Sequence, residues 1–244
     1  MIDAVGKSDI GRVRKANQDA YHIGKASENM LWSVVCDGMG GTNGGNVASL
    51  VAVGAISSSI DKNYHDEKDD LSVRNMLVTA VIGANTQVYQ KSRSTPELSG
   101  MGTTVVLALV RGNKAFVVHA GDSRAYHLTH EGISQVTKDH TVVQYLLETG
   151  ELTKEEVKNH PKKHLITRAL GVEENVDADY NEFEVSVGDK LVLCTDGLTN
   201  MVSETEIQHI VAQNVAADAA DALVELANER GGNDNITVVI IEIN

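Results

Sequence analysis

Two stretches of the sequence, SVVCDG at Ser33 to Gly38 and VLCTDG at Val192 to Gly197, are apolar runs that end in Asp-Gly. A third run, VVHAGDSR, carries Asp122 near its end, and Asp234 in GGNDNIT directly precedes the last apolar run. Asp19, in RKANQDA, follows a first short strand. Taken singly, each aspartate is more typical of a turn or a cap. Because carboxylates at strand ends suit a shared rim better than a core, the five together predict a functional site.

The apolar runs predict strands in hairpins, separated by blocks of helix. The turn Gly112-Asn113 predicts a hairpin that continues as a meander, and Gly188-Asp189 predicts a second hairpin. These blocks, without strict βαβ alternation, favour an α+β fold with mainly antiparallel sheets and helices outside. The predicted strands are Leu31 to Cys36, Thr103 to Val110, Lys114 to Ala120, Arg124 to Thr129, Ile133 to Val136, Phe183 to Val187, Lys190 to Cys194 and Ile236 to Ile243.

Helices are predicted wherever apolar residues recur at helical spacing. Ser203 and Glu206 form a capping-box pattern that predicts the start of one of them. Ile236 to Ile243, by contrast, is apolar throughout and is expected to be a strand covered on both faces. The predicted helical stripes are Val47, Leu50, Val51 and Ala55; Val73 to Val88; Ile207, Ile210 and Val211; and Ala216 to Ala227.

Composition limits the kinds of protein that this chain can be. It has 244 residues, with 21 Lys and Arg against 34 Asp and Glu, and a formal net charge of −13. The length fits one large domain or two small ones, and the acidic balance disfavours nucleic-acid binding. The longest apolar stretch, Val47 to Ile56, is too short for a membrane span, and no secretory pattern is visible, so a cytoplasmic protein is expected. Cys36 and Cys194 are expected to be buried, reduced thiols.

The clustered aspartates also indicate a cation. Unpaired carboxylates brought close together repel, and one is driven to take up a proton unless a cation binds. Oxygen ligands without matching Cys or His spacing favour Mg²⁺ or Mn²⁺ over structural zinc. Two such ions can share a water molecule, lower its pKa and hold a phosphoryl group. Arg14, near Asp19, is the candidate partner for that phosphate, with Arg12 as a competitor.

Eight motifs in order give the chain a family resemblance over essentially its whole length. It resembles the metal-dependent Ser/Thr protein phosphatases of type 2C, particularly their compact bacterial branch. The resemblance implies one catalytic domain over residues 1–244, with two stacked antiparallel β-sheets flanked by helix pairs. It also places a variable flap at about 137–171, where Thr153 and Glu156 repeat the capping-box pattern. The motifs are GRVRKANQD (11–19), VVCDGMGG (34–41), GTTVVLALV (102–110), HAGDSRAY (119–126), KDHT (138–141), ITRALG (166–171), LCTDGLTN (193–200) and GGNDNITVV (231–239).

The resemblance implies metal-binding roles for the aspartates. Asp37 is expected to bridge two ions, with the carbonyl of Gly38 on one of them. Asp196 and Asp234 are expected to complete the shell of the other ion. Asp19 is expected to act mostly through bound water on the ion that Gly38 contacts. The implied cofactor is thus Mn²⁺ or Mg²⁺, with two ions in the core site.

Further roles follow from the same resemblance. Asp122, with Asp196, matches the pair that holds a third ion in bacterial members, and Arg14 is expected to bind the substrate phosphate. Asn200 and Asn235 are expected to support the metal ligands. Animal members carry a His, able to protonate the leaving alkoxide, where this chain has Met39. Another donor is then needed, such as water on a metal ion. His140 is a further candidate, although a surface position is expected for it.

The implied function is a Ser/Thr phosphoprotein phosphatase that opposes a protein kinase and acts as a monomer. An inactive phosphoprotein-binding scaffold is the alternative, but such a protein is expected to have lost one of Asp37, Asp196 or Asp234, and all three are present. A phosphatase dedicated to one regulator is a third possibility. The GDS sequence at Gly121 to Ser123 could suggest a serine hydrolase. It lacks the G-x-S-x-G pattern of the nucleophile elbow, so this class is disfavoured.

Overall fold

The chain folds into two antiparallel β-sheets that stack face to face, as the computed structural model shows for residues 1–27, 29–158 and 160–244, without the side chains at 41–43, 154 and 158. The five-stranded sheet has the order β1-β11-β10-β7-β8, and the other has the order β2-β3-β5-β6-β9 with β4 paired to β3. The strands are β1 (Ile2–Asp9), β2 (Asp19–Ser27), β3 (Met30–Met39), β4 (Gly102–Thr103), β5 (Val105–Arg111), β6 (Lys114–Ala120), β7 (Arg124–Thr129), β8 (Gly132–Gln135), β9 (Asp179–Glu184), β10 (Lys190–Cys194) and β11 (Ile236–Ile243).

Helices cover the outer face of each sheet. The pair α1 and α2 packs on the six-stranded sheet, and α6 and α7 pack on the five-stranded sheet. This four-layer arrangement confirms the predicted fold class. No helix in the described ranges is both long and apolar enough to cross a membrane. The helices are α1 (Gly41–Asn63), α2 (Asp70–Ser94), α3 (Val142–Glu148), α4 (Lys154–Lys158), α5 (Asp196–Thr199), α6 (Glu204–Gln213) and α7 (Ala216–Glu229), with a 3₁₀ turn at Pro96–Leu98.

Alternating side chains of the central strands fill two different apolar layers. Val35 lies in the layer between the sheets, while its neighbour Val34 packs against α1 and α2. In β11, Val239 lies between the sheets and Val238 packs under α6 and α7. Because successive side chains in a strand point to opposite faces, a strand in the middle of four layers must be apolar throughout. The prediction that β11 is covered on both faces is confirmed.

The predicted hairpin across Gly188-Asp189 is wrong. Its first strand is β9, which pairs with β6 in the six-stranded sheet, whereas β10 pairs with β7 and β11 in the other sheet. Between them Val187 is 79% exposed, and the N–H of Gly188 donates to the carbonyl of Ile243. The predicted meander is interrupted in the same way, because the chain changes sheets between β6 and β7. Hydrophobic alternation sets which face of a strand is buried but carries no information about which sheet it joins.

The helix predictions hold with one exception. The predicted stripe of α2 is buried from Val73 to Val88, and the Ser203 capping box is formed, with the Ser203 N–H donating to Glu206 Oε2 at 3.0 Å. Leu50 of α1 was expected in the core but is 63% exposed. It lies on the side of α1 opposite the buried Ala48 and Ala52, so its apolar character does not reflect sheet packing. Both cysteines are buried and free, as predicted.

Segment 137–171 leaves the sheets and returns to them. It contains α3 and α4, and the bridge Thr141↔Ile166 joins its two arms to each other. Its end is tied back by the bridge Thr103↔Leu170, and its start by the His140 backbone N–H, which donates to the carbonyl of Gly121. The predicted second capping box is present, with the Thr153 N–H donating to Glu156 Oε2 at 2.8 Å. Leu170 and Thr141 are buried, so the two ends of this excursion are fixed to the sandwich.

Candidate active site

A cavity of about 1000 Å³ opens at the end of the sandwich where strands of both sheets meet. Four of the five predicted aspartates line it: Asp37, Asp122, Asp196 and Asp234. Asp19 lies behind this wall, directly opposite Asp37 in the β2–β3 pairing. The fold therefore brings together all five carboxylates that the sequence singled out.

Asp19 is the most enclosed of the five. Its Oδ2 accepts hydrogen bonds from the hydroxyls of Thr195, at 2.9 Å, and Thr237, at 2.7 Å. Its Oδ1 is buried and has no hydrogen-bond partner among the described residues. Burial raises the pKa of Asp19 to about 7, against the two threonine hydrogen bonds. A buried carboxylate oxygen without a donor is an acceptor that a cation or a proton would satisfy.

Asp37 is held by its backbone at the end of β3. Its N–H donates to Thr104 Oγ1 at 3.0 Å, and its carbonyl accepts from Thr103 Oγ1 at 2.8 Å. These bonds leave the carboxylate directed into the cavity. Burial, followed by the charges of Asp19 and Asp196, holds the pKa of Asp37 well above its usual range.

Asp196 and Asp234 stand at the ends of neighbouring strands in the five-stranded sheet. Asp196 begins α5, where its Oδ2 accepts from Asn200 Nδ2 at 3.0 Å and its Oδ1 is buried without a partner in the described part of the chain. Burial and then the charge of Asp234 raise the pKa of Asp196. Asp234 Oδ1 accepts from the N–H of Asn235 at 2.8 Å, and its Oδ2 accepts from Arg14.

The glycine after each Asp is required by close backbone packing. A Cβ on Gly38 would lie 2.0 Å from the carbonyl oxygen of Gly45, and one on Gly197 would lie 1.9 Å from that of Asn235. Real Cβ atoms do not approach a backbone oxygen this closely, so a side chain would displace the segment that carries the aspartate. The two Asp-Gly pairs are thus built for close approach at the cavity and are not turn dipeptides on a free surface.

The Asn235 side chain holds the loop that carries Arg14. Its Nδ2 donates to the carbonyls of Ile10 and Ala16 at 2.9 and 3.0 Å, and its Oδ1 accepts from the N–H of Gln18 at 2.8 Å. Arg14 lines the cavity, and its Nη2 donates to Asp234 Oδ2 at 2.7 Å. Arg12, its competitor in the sequence, is not part of the described cavity lining.

Asp122 lies in the three-residue crossing from β6 to β7. Gly121 takes a positive φ of 115° there, and Ser123 Oγ lies 2.7 Å from Thr104 Oγ1, a hydrogen bond in which either hydroxyl can donate. Burial, then the charge of Asp196, raises the pKa of Asp122 to about 7. The crossing therefore places a fourth carboxylate on the cavity wall, close enough to Asp196 for the two to repel.

The cluster fits divalent cations. Asp19, Asp37, Asp122 and Asp196 all have raised pKa values, with burial as the first cause. Two of their buried oxygens lack donors among the described residues. Hard oxygen ligands that repel one another and lack protein donors are the groups that Mg²⁺ and Mn²⁺ neutralise.

Sequence reasoning missed part of the cavity wall. Lys15, Lys163 and His164 line it, beside Arg14. A signal was present, because KKH at 162–164 is a basic cluster within the predicted flap of an acidic chain. The surface position expected for His140 is wrong, since its side chain is only 7% exposed.

Comparison with known proteins identifies the family. The sequence matches the protein phosphatase 2C family over residues 5–236. It is 38% identical over 237 residues to the serine/threonine phosphatase Stp of Listeria monocytogenes serotype 4b (strain F2365), covering 97% of this chain and 94% of that protein. The solved serine/threonine phosphatase of S. agalactiae is 31% identical, covers 100% of both chains and superposes with a TM-score of 0.93. The catalytic domain of PstP in complex with two manganese ions is 35% identical over 99% of this chain and 97% of that one, with a TM-score of 0.86.

The chain belongs to the protein phosphatase 2C family. The predictions of this family, of its fold and of a protein-serine/threonine phosphatase are confirmed, and the inactive scaffold is not supported. The enzyme depends on divalent metal and acts on phosphoproteins.

Proposed function

We propose that this phosphatase hydrolyses phosphoserine and phosphothreonine monoesters in the cavity at the end of the sandwich, using ions held by the five aspartates. One observation carries this proposal: carboxylates from both sheets converge on one cavity beside Arg14. Two of their buried oxygens have no donor among the described residues, and Arg14 is the guanidinium in the described lining. Such a site is suited to holding an anionic phosphate beside divalent ions.

The proposed ion shells use the carboxylates of the wall. Asp37 interacts electrostatically with the other four carboxylates and would hold both core ions, with the carbonyl of Gly38 as a further ligand of one of them. Asp196 and Asp234, on the five-stranded sheet, are assigned to the other ion. Asp19 lies behind the wall and is assigned a role through water. When bound, two divalent ions lower the pKa of a shared water molecule and neutralise the phosphoryl oxygens.

Asp122 and Asp196 are assigned to a third ion. Their carboxylates interact electrostatically, and both have raised pKa values, with burial as the first cause. A cation between them would relieve that repulsion. The ions are proposed to be Mn²⁺ or Mg²⁺, since both prefer oxygen ligands.

Arg14 is proposed to orient the substrate phosphate. Its contact with Asp234 holds the guanidinium at the cavity wall and engages one terminal nitrogen. A guanidinium has five N–H donors in a planar fork that matches phosphate oxygens, so the others are suited to the substrate. Arg14 is half exposed, which keeps it accessible to a phosphopeptide.

The leaving group also needs a proton, because the alkoxide of serine or threonine is strongly basic. Met39 lines the cavity but has no proton to give, and His140 is not part of the described lining. His164 is the imidazole that lines the cavity within the described ranges. His164 lines the same cavity as Asp196 and is close enough to interact with that carboxylate electrostatically. We assign the proton donor to His164.

Segment 137–171 is proposed to form one wall of the substrate site within a single catalytic domain. Lys163, His164 and Ile166 of this segment line the cavity, and its ends are tied to the sandwich. An opposing Ser/Thr kinase, a monomeric state and a cytoplasmic location stay predictions from the sequence.

Phosphate release from a phosphothreonine peptide tests the proposal. Turnover is expected with Mn²⁺ or Mg²⁺ and is expected to stop with EDTA, whereas a matched phosphotyrosine peptide serves as the specificity control. Absence of turnover with both metals, in a sample that unfolds cooperatively, would contradict the proposal.

A further inference from the structure

His140 makes two hydrogen bonds to Gly121, the residue that precedes Asp122. The His140 N–H donates to the carbonyl of Gly121 at 2.9 Å, and the Gly121 N–H donates to His140 Nδ1 at 3.2 Å. One residue of segment 137–171 therefore makes both backbone hydrogen bonds of Gly121. Gly121 is buried with φ at 115°, so these two bonds fix the direction in which the chain enters Asp122.

The bond at Nδ1 also fixes the tautomer of His140. A neutral imidazole that accepts at Nδ1 carries its proton on Nε2. That atom lies 3.3 Å from Asp179 Oδ2 on β9 and 3.2 Å from Arg168 Nη1. The same Arg168 nitrogen donates to Asp179 Oδ1 at 2.8 Å. The Asp179 carboxylate thus orients the imidazole at Nε2, the nitrogen that does not face Gly121, and the Arg168 guanidinium neutralises that carboxylate.

This tautomer argues against a metal ion at the same place. His119, His140 and Asp179 offer ligand atoms within 4.8 Å of one another. A proton on Nε2 blocks that nitrogen as a ligand, and Arg168 Nη1 lies 3.2 Å from it, so a guanidinium already supplies the positive charge beside both His140 and Asp179. The rings of His119 and His140 stack at 4.7 Å, which restricts His140 further. The cluster is an orienting group, and what it orients is the Gly121 backbone.

The other side of Asp122 is held as well. Ser123 Oγ is hydrogen-bonded to Thr104 Oγ1 at 2.7 Å, and that same hydroxyl accepts from the Asp37 N–H at 3.0 Å. Hydrogen bonds on each side of Asp122, joined by the backbone of residues 121–123, therefore connect His140 of segment 137–171 to Asp37. No carboxylate oxygen of Asp122 takes part in these bonds, so they fix position and leave the ligand atoms available.

We propose that His140 is a positioning residue that sets Asp122 for a divalent ion and connects segment 137–171 to that ion. This inference rests on the proposed assignment of Asp122 to an ion. Groups that orient a metal ligand from behind typically contribute about 10- to 100-fold in metal affinity or activity. Because His140 acts through backbone rather than on the carboxylate, the lower end of that range is expected.

The test compares His140→Asn with His140→Leu. The two side chains have the same branching, but only Asn offers an acceptor near the place of Nδ1. Titration calorimetry with Mn²⁺ alone is expected to show one ion bound about tenfold more weakly in His140→Leu, and within about twofold of wild type in His140→Asn. The KM for p-nitrophenyl phosphate at saturating Mn²⁺ is expected to stay unchanged. His130→Ala, at a side chain that is 90% exposed, is the control.

Equal Mn²⁺ affinity in wild type and His140→Leu would overturn the inference, as would an equal loss in both variants. If His140→Leu does not fold, Ser123→Ala removes the hydrogen bond on the other side of Asp122 and must weaken the same ion; unchanged binding would again overturn the inference. Failure of the proposed function has a different signature, since the wild-type protein would then lack Mn²⁺-dependent turnover altogether.

Discussion

Replacing Asp19 with Asn is expected to stabilise the metal-free protein at neutral pH. Asn is nearly isosteric, and its Oδ1 can still accept from the hydroxyls of Thr195 and Thr237, which now bond to Asp19 Oδ2. Its amide would take the place of the buried Oδ1 that has no partner among the described residues. The substitution therefore removes a buried charge and keeps both existing hydrogen bonds.

The size of the effect follows from the pKa of Asp19. Folding raises that pKa from 3.8 to about 7. The folded state then binds a proton more tightly than the unfolded state, so this carboxyl lowers the stability as pH rises from 3.8 to about 7. At 1.36 kcal/mol per unit, the full cost is about 4 kcal/mol above pH 7 and about 2 kcal/mol near pH 5.

Urea unfolding in EDTA measures this cost directly. Asp19→Asn is expected to exceed wild type by about 2 kcal/mol near pH 5 and about 4 kcal/mol near pH 8. Asp61→Asn, at an exposed position of α1, is the control and is expected to change neither value. Adding Mn²⁺ is expected to stabilise wild type more than Asp19→Asn. A variant that is less stable than wild type near pH 8, or a difference that does not grow with pH, would refute the reasoning.

Four further predictions concern the chemistry. Asp196→Ala should abolish metal-dependent phosphate release while the protein still unfolds cooperatively in urea; full activity would contradict the proposed ion shell. Arg14→Ala should raise KM for a phosphopeptide if the contact is equal in ground and transition states, whereas a fall confined to kcat would place it in the transition state alone. Asp122→Ala should reduce the number of Mn²⁺ ions bound in calorimetry by one. His164→Gln should slow a phosphothreonine peptide but spare p-nitrophenyl phosphate, whose leaving group needs no proton; equal losses would remove His164 as the donor.

Much of the site could be predicted because its ligands directly adjoin apolar strands. Asp37 and Asp196 end two such runs and Asp234 begins a third, so local pattern alone placed them at one rim. Asp19 begins β2, a strand of mixed burial that the apolar runs did not reveal. Asp19 could be assigned to the cluster through its motif, but its position directly opposite Asp37 depends on strand pairing across the sheet, which only tertiary structure supplies.

Other features depend on which elements meet and were not predictable. The predicted hairpin between β9 and β10 was wrong because the two strands lie in different sheets, and an apolar run can fit either sheet. The burial of His140 depends on contacts with Gly121 and Asp179, which lie 19 and 39 positions away in the chain. A polar residue in a polar segment carries no local signal that it will be enclosed.

The carboxylates of the site come from both halves of the sandwich. Asp19 and Asp37 belong to the six-stranded sheet, whereas Asp196 and Asp234 flank strands of the five-stranded sheet. The apolar layer between the sheets, which includes Val35 and Val239, therefore sets the separation of the two carboxylate pairs. A change of volume in that layer would alter the spacing of the ligands without touching any of them. Substitutions in this layer are therefore expected to change the affinity for the ions through residues that never contact them.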